Sequence, residues 1–193
     1  MKRNLAIIIS FLFHPMLISF AVFSVLIFSN QLASTSSNKI LAICFIFSNL
    51  IPITTVFVLK KIGWIDDLDA SLKDQRQFPL LLGIVYAGLG FGFLFLNGAN
   101  SLTQGLMFCY TTNTFFTILI NRYWKISIHS MGVSAPAAAL WTNGNQFPII
   151  MGLIIFGVSC SRVVLKAHTP SQVGAGAILG FGSTFLQLKW FFT

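Results

Sequence analysis

Six side chains in three short polar clusters could do chemistry together. They are Lys73-Asp74-Gln75-Arg76-Gln77-Phe78-Pro79, then Lys125-Ile126-Ser127-Ile128-His129, then Ser161-Arg162 followed after five residues by His168-Thr169-Pro170-Ser171-Gln172. Lys73, Arg76, Lys125 and Arg162 with His129 and His168 are what a phosphoryl group requires. Guanidinium forks match its oxygens, one imidazole can attack phosphorus, and a second can protonate the leaving oxygen. The second and third clusters lack carboxylates for a divalent ion, so the side chains themselves must neutralise the charge, and no metal or other cofactor is expected.

Helices must position these clusters, because the chain is built for lipid. Of 193 residues 55% are hydrophobic and 8% charged, with 21 Phe, and the mean hydropathy is +0.83. A soluble domain carries about 25% charged residues, so the composition excludes a large soluble domain, a long disordered tail and nucleic-acid binding as the main task. Seven apolar segments emerge: Leu5 to Ser29, Ile40 to Leu59, Phe78 to Leu96, Leu102 to Asn121, a weak one from Ile128 to Trp141, Phe147 to Leu165, and Val173 to Phe192. The first follows Lys2 and Arg3 as a secretory leader would, but its length marks it as an anchor, kinked at His14-Pro15. His14 is expected to be a structural histidine beside that kink. The expectation is an all-α polytopic membrane bundle of six to seven spans in a single domain, residues 1–193.

Alternate loops share a side of the membrane, which puts all three clusters on one face. Ten of the twelve basic residues lie there: Lys2, Arg3, Lys60, Lys61, Lys73, Arg76, Arg122, Lys125, Arg162 and Lys166, against Lys39 and Lys189 opposite. The charge count makes this face cytoplasmic, and a bacterial cytoplasmic membrane is the expected location. Four Asp (Asp66, Asp67, Asp69 and Asp74) are the only acids of the chain and fall in one interval. They are expected to form a solvated loop offsetting Lys60, Lys61 and Lys73. One such cluster without a second does not make the Mg-diphosphate site of an intramembrane prenyltransferase. Cys44, Cys109 and Cys160 sit in apolar runs and are expected to pack. Gly88 with Gly92, and Gly176 with Gly180, are four-residue pairs suited to close helix approach.

Ser161-Arg162-x5-His168 resembles the third motif of the type 2 phosphatidic-acid phosphatase superfamily, which shares its fold with vanadium haloperoxidases. Ile126-Ser127-Ile128-His129 resembles that family's Pro-Ser-Gly-His motif, keeping Ser and His. Lys73, Arg76 and Pro79 resemble a displaced version of its first motif, normally Lys-x6-Arg-Pro. The resemblance covers about residues 60–190. It implies a phosphatidic-acid-phosphatase-like core and a metal-independent phosphatase acting on a lipid phosphate or pyrophosphate through a phosphohistidine. His168 would be the nucleophile and His129 the acid, while Lys73, Arg76, Arg162 and Ser127 would hold the phosphoryl oxygens; Lys125 joins them by proximity. Gln172 stands where the family usually has an Asp, and would orient His168 without adding charge. The implied partners are a lipid phosphate or prenyl diphosphate substrate and membrane lipids, with no nucleic acid. The alternative is a weak or inactive member that binds an anionic lipid head group, or a scaffold or transporter.

Overall fold

Phe13 and His14 belong to no helix, and the chain restarts at Pro15, whose fixed φ and missing N–H suit a first helical position. This break separates α1 (Arg3–Leu12) from α2 (Pro15–Phe28). The computed structural model describes residues 1–29, 35–70 and 72–193. Among them follow α3 (Thr35–Phe45), a π-helical turn Ile46–Leu50, α4 (Ile51–Lys61), a 3₁₀ turn Asp74–Arg76, α5 (Gln77–Leu96), α6 (Ser101–Tyr123), α7 (Ile128–Thr142), α8 (Pro148–Val164), α9 (Pro170–Ile178), a second π-helical turn Leu179–Ser183 and α10 (Thr184–Phe191). Joined end to end across the break and the π turns, these helices make seven rods, one for each apolar segment of the sequence. Three are long and apolar enough to cross a membrane: Arg3–Phe28, Ser36–Lys61 and Asp74–Leu96. The described residues form an all-helical membrane bundle.

The weak fifth segment is the centre of the bundle. Helix α7 packs against α2, α6, α8, α9 and α10, and Ser130, Ser134, Ala135, Pro136, Ala138 and Ala139 are all buried in it. Its small residues and Pro136 depress its hydropathy because it faces helices rather than lipid. The outer surface is the apolar one: Leu96, Ile149, Ile178 and Trp190 are each at least 74% exposed. Polar side chains turn inward and find partners there. Asn113 Nδ2 donates to Thr184 Oγ1 at 2.8 Å, and Ser183 donates to Asn113 Oδ1 at 2.8 Å. In lipid such groups must be satisfied within the protein.

Of the two glycine pairs, only one brings backbones together. A Cβ at Gly176 would lie 2.5 Å from the Ser127 carbonyl oxygen, and one at Gly180 2.6 Å from that of Met131, so α9 and the second π turn lie directly on α7. Gly88 and Gly92 have no such neighbour; on α5 the close contact is at Gly90, where a Cβ would meet Phe47 at 2.8 Å. The pair on the α7 side sets the separation between the start of α7, which carries His129, and the turn before α9, which carries His168.

Candidate active site

The three polar segments converge at one end of the bundle and tie to one another through backbone carbonyls. Arg76 is 3% exposed; its Nε donates to the Ala70 carbonyl at 2.7 Å and its Nη1 to that of Ile126 at 3.3 Å. Lys73 Nζ donates to the Arg122 carbonyl and Lys125 Nζ to that of Ala167. The Ser127 N–H donates to the Gln172 carbonyl at 3.2 Å. Asn121, buried in the last turn of α6, adds a tie to the Lys73 carbonyl at 3.1 Å.

His168 sits in the turn between α8 and α9, 6% exposed, just before the N-cap of α9. Thr169 and Gln172 form a reciprocal capping box, in which the Thr169 hydroxyl accepts from the Gln172 N–H and Gln172 Oε1 accepts from the Thr169 N–H. The same Oε1 lies 3.2 Å from His168 Nδ1. A carbonyl oxygen can only accept, so Nδ1 carries the ring proton and Nε2 presents a lone pair. That Nε2 is buried with no hydrogen-bond partner among the described residues, and so is Arg162 Nε. Burial, together with the charges of Arg76 and Lys125, lowers the His168 pKa to about 4, with the Gln172 contact pulling the other way. Lys125 is lowered too, by burial and by Arg76 and Arg162.

Arg162, at the end of α8, is 5% exposed and held from two directions that sequence spacing does not show. Its Nη1 donates to Ser10 Oγ of α1 at 3.0 Å, and its Nη2 pairs with Asp69 Oδ2 at 2.8 Å. The acidic stretch is therefore not simply a solvated loop. Asp69 turns into the site because the buried Arg162 charge attracts it, and its own N–H donates to Asp67 Oδ1 at 2.9 Å. Burial opposes its ionisation, but His129 and Arg162 hold its carboxyl below the usual range. Ala70, next in line, lies in the left-handed region at φ 44°, a strained conformation for a residue with a Cβ.

His129 occupies the first turn of α7, 8% exposed, and Arg162 acts electrostatically on both it and His168. Ser127 is fully buried, with its hydroxyl capping α7 through the Ser130 N–H and 3.1 Å from Ser130 Oγ, so its side chain is already engaged. His14 is more than a residue at a kink. It caps α2 by accepting from the Met16 N–H at 3.4 Å, and its ring meets that of His129 edge-on, 5.1 Å between centroids. His14, Asp69, Ser10 and Asn121 are the residues that sequence reasoning did not place here; the break before Pro15 was the only local signal for any of them.

Beside the cluster a cavity of about 290 Å³ runs into the bundle, with His14, Asp69, Arg76 and His129 at its polar end and apolar side chains such as Leu80 and Ala87 deeper in.

No curated protein and no solved structure matches the chain. A family model does, over the part that carries Lys125, His129, Arg162, His168 and Gln172 but not Arg76. The family points to phosphatase-type activity on phosphorylated substrates. Residues 101–193 match the model of the PAP2 superfamily.

Proposed function

We propose that the protein is a membrane-embedded phosphatase that hydrolyses a lipid phosphate or pyrophosphate without a metal ion, through a phosphohistidine on His168. The observation that carries this is the buried His168 Nε2, without a hydrogen-bond partner among the described residues, with Nδ1 held by Gln172 and Arg162 Nε likewise without one in the same site. A nucleophilic nitrogen with an unused lone pair and a guanidinium with an unused N–H, both desolvated, suit a phosphoryl group.

His168 Nε2 attacks phosphorus in line as the P–O bond to the leaving group breaks, and His129, entering the step as imidazolium, gives that oxygen its proton and becomes neutral. Water, deprotonated by His129, then attacks phosphorus and breaks the P–N bond, which releases neutral His168 and returns His129 to its imidazolium. Arg162, Arg76 and Lys125 stabilise the equatorial oxygens, and Lys73 acts from the rim. The adjoining cavity suits the first part of an acyl or prenyl chain, leaving the rest in the bilayer. The basic face carrying the site is cytoplasmic, by the excess of Lys and Arg.

Phosphate release by purified protein in EDTA tests the core of this reading. Turnover should persist, be inhibited by vanadate, which mimics the trigonal-bipyramidal transition state, and vanish in His168→Ala. Near wild-type rates in both His168→Ala and His129→Ala would show the mechanism to be wrong.

A further inference from the structure

The phosphatase mechanism uses only one member of a second cluster at the polar end of the cavity. His14, Asp69 and His129 each offer one donor atom there, and these atoms all lie within 4.8 Å of one another. They come from three separate parts of the chain: the α1–α2 break, the acidic loop and the start of α7. We propose that His14, Asp69 and His129 form a binding site for a divalent transition-metal ion of the zinc class, sharing His129 with the phosphoryl site.

The donor set selects the class of ion. Two imidazoles and one carboxylate suit Zn²⁺, Co²⁺ or Ni²⁺, whereas Mg²⁺ and Ca²⁺ favour all-oxygen shells. A tetrahedral ion with bonds of about 2.0–2.1 Å holds its donors about 3.4 Å apart, so modest rotations of the side chains close the site. Asp69 is 36% exposed and has the room to move. Its Oδ2 is on Arg162, which leaves Oδ1 for an ion and makes the guanidinium the hydrogen-bonded support of a ligating carboxylate.

His14 is held in place for this role by contacts around it. Asn49 Nδ2, in the π turn after α3, donates to the Met16 carbonyl at 2.7 Å. On the α7 side a Cβ at Gly132 would lie 2.6 Å from Pro15, so only glycine lets the α2 start come this close to His129. The contact from the Met16 N–H to His14 Nδ1 is long, at 3.4 Å. An ion on Nε2 moves the ring proton to Nδ1 and gives up that contact; an ion on Nδ1 replaces it. Three protein ligands leave a fourth position open. With an ion bound, His129 loses the nitrogen it needs for proton transfer, so zinc inhibits turnover; this consequence alone rests on the phosphatase reading.

The test uses full-length, tag-free protein in detergent, stripped with chelator and titrated with Co²⁺ while its visible d–d absorption is followed. One Co²⁺ per chain should bind and be displaced by Zn²⁺. His14→Asn, which keeps an N-cap residue on α2, and Asp69→Asn should each weaken binding by at least about tenfold, while His168→Ala binds as wild type. Zn²⁺ should also raise the thermal midpoint of the wild type but not of His14→Asn. The absence of a Co²⁺ band, or affinity unchanged in both His14→Asn and Asp69→Asn, would overturn the proposal. Because the titration contains no substrate, an inactive protein that still binds Co²⁺ counts against the phosphatase reading alone.

Discussion

Asp69 Oδ2 sits 2.8 Å from Arg162 Nη2, so the guanidinium that the third motif assigns to phosphate is already paired with a carboxylate 93 positions away in sequence. On the proposed phosphatase reading, a phosphoryl group entering the site would meet an internal competitor of its own charge. On that reading Asp69 would be a determinant of anion affinity.

Asp69→Asn should therefore tighten vanadate inhibition. Because Asp69 is partly exposed, the pair is screened and the gain is modest, roughly two- to tenfold in the inhibition constant. Vanadate that binds more weakly to Asp69→Asn would show that the carboxylate supports the anion site rather than competing for it.

Gln172→Ala should lower kcat by about tenfold or more with little change in KM, because His168 loses the acceptor that fixes its tautomer. The same change removes the Gln172 half of the capping box on α9 and should lower the thermal midpoint. Gln172→Asp keeps an acceptor and should retain activity. An unchanged kcat in Gln172→Ala, beside a lowered thermal midpoint, would make Gln172 a helix cap and nothing more.

The acid limb of kcat/KM should lie near pH 4. His168 is nucleophilic only when neutral, and its pKa is lowered to about 4, so the rate should hold through pH 5 and fall as pH drops through about 4. Stability follows the same direction. Between about pH 4 and the unfolded value near 6.5, the unfolded chain binds the His168 proton more readily than the folded one, so this contribution is complete above 6.5 and is lost on acidification. A limb near pH 6.5 instead would assign the titration to another group.

The cytoplasmic assignment of the basic face is checked by labelling. Leu72 is 54% exposed in the loop before α5, and Cys44, Cys109 and Cys160 can be removed to leave Leu72→Cys as the single thiol. A membrane-impermeant maleimide should label it in permeabilised cells and not in intact ones. Labelling in intact cells would place the site outside.

The division between what was legible in the sequence and what was not follows the range of the interactions. Ser161, Arg162, His168 and Gln172 lie within twelve positions across one helix end and the next helix start. Local geometry alone sets their relation, so the spacing x5 and then four could be read directly, as could the seven apolar segments. Residues 101–193 carry that pattern and match the superfamily. Tertiary structure decided the rest. Ser10 and His14 reach the site because α1 packs on α8 and α2 on α7, and Asp69 because the buried Arg162 charge draws it in from the acidic loop. Inside a bilayer a helix face that meets protein and one that meets lipid can be equally apolar, so periodicity does not say which helices touch. Close approach was decided by individual neighbours: Gly176 and Gly180 have α7 backbone against them, and Gly88 and Gly92, with the same spacing, do not.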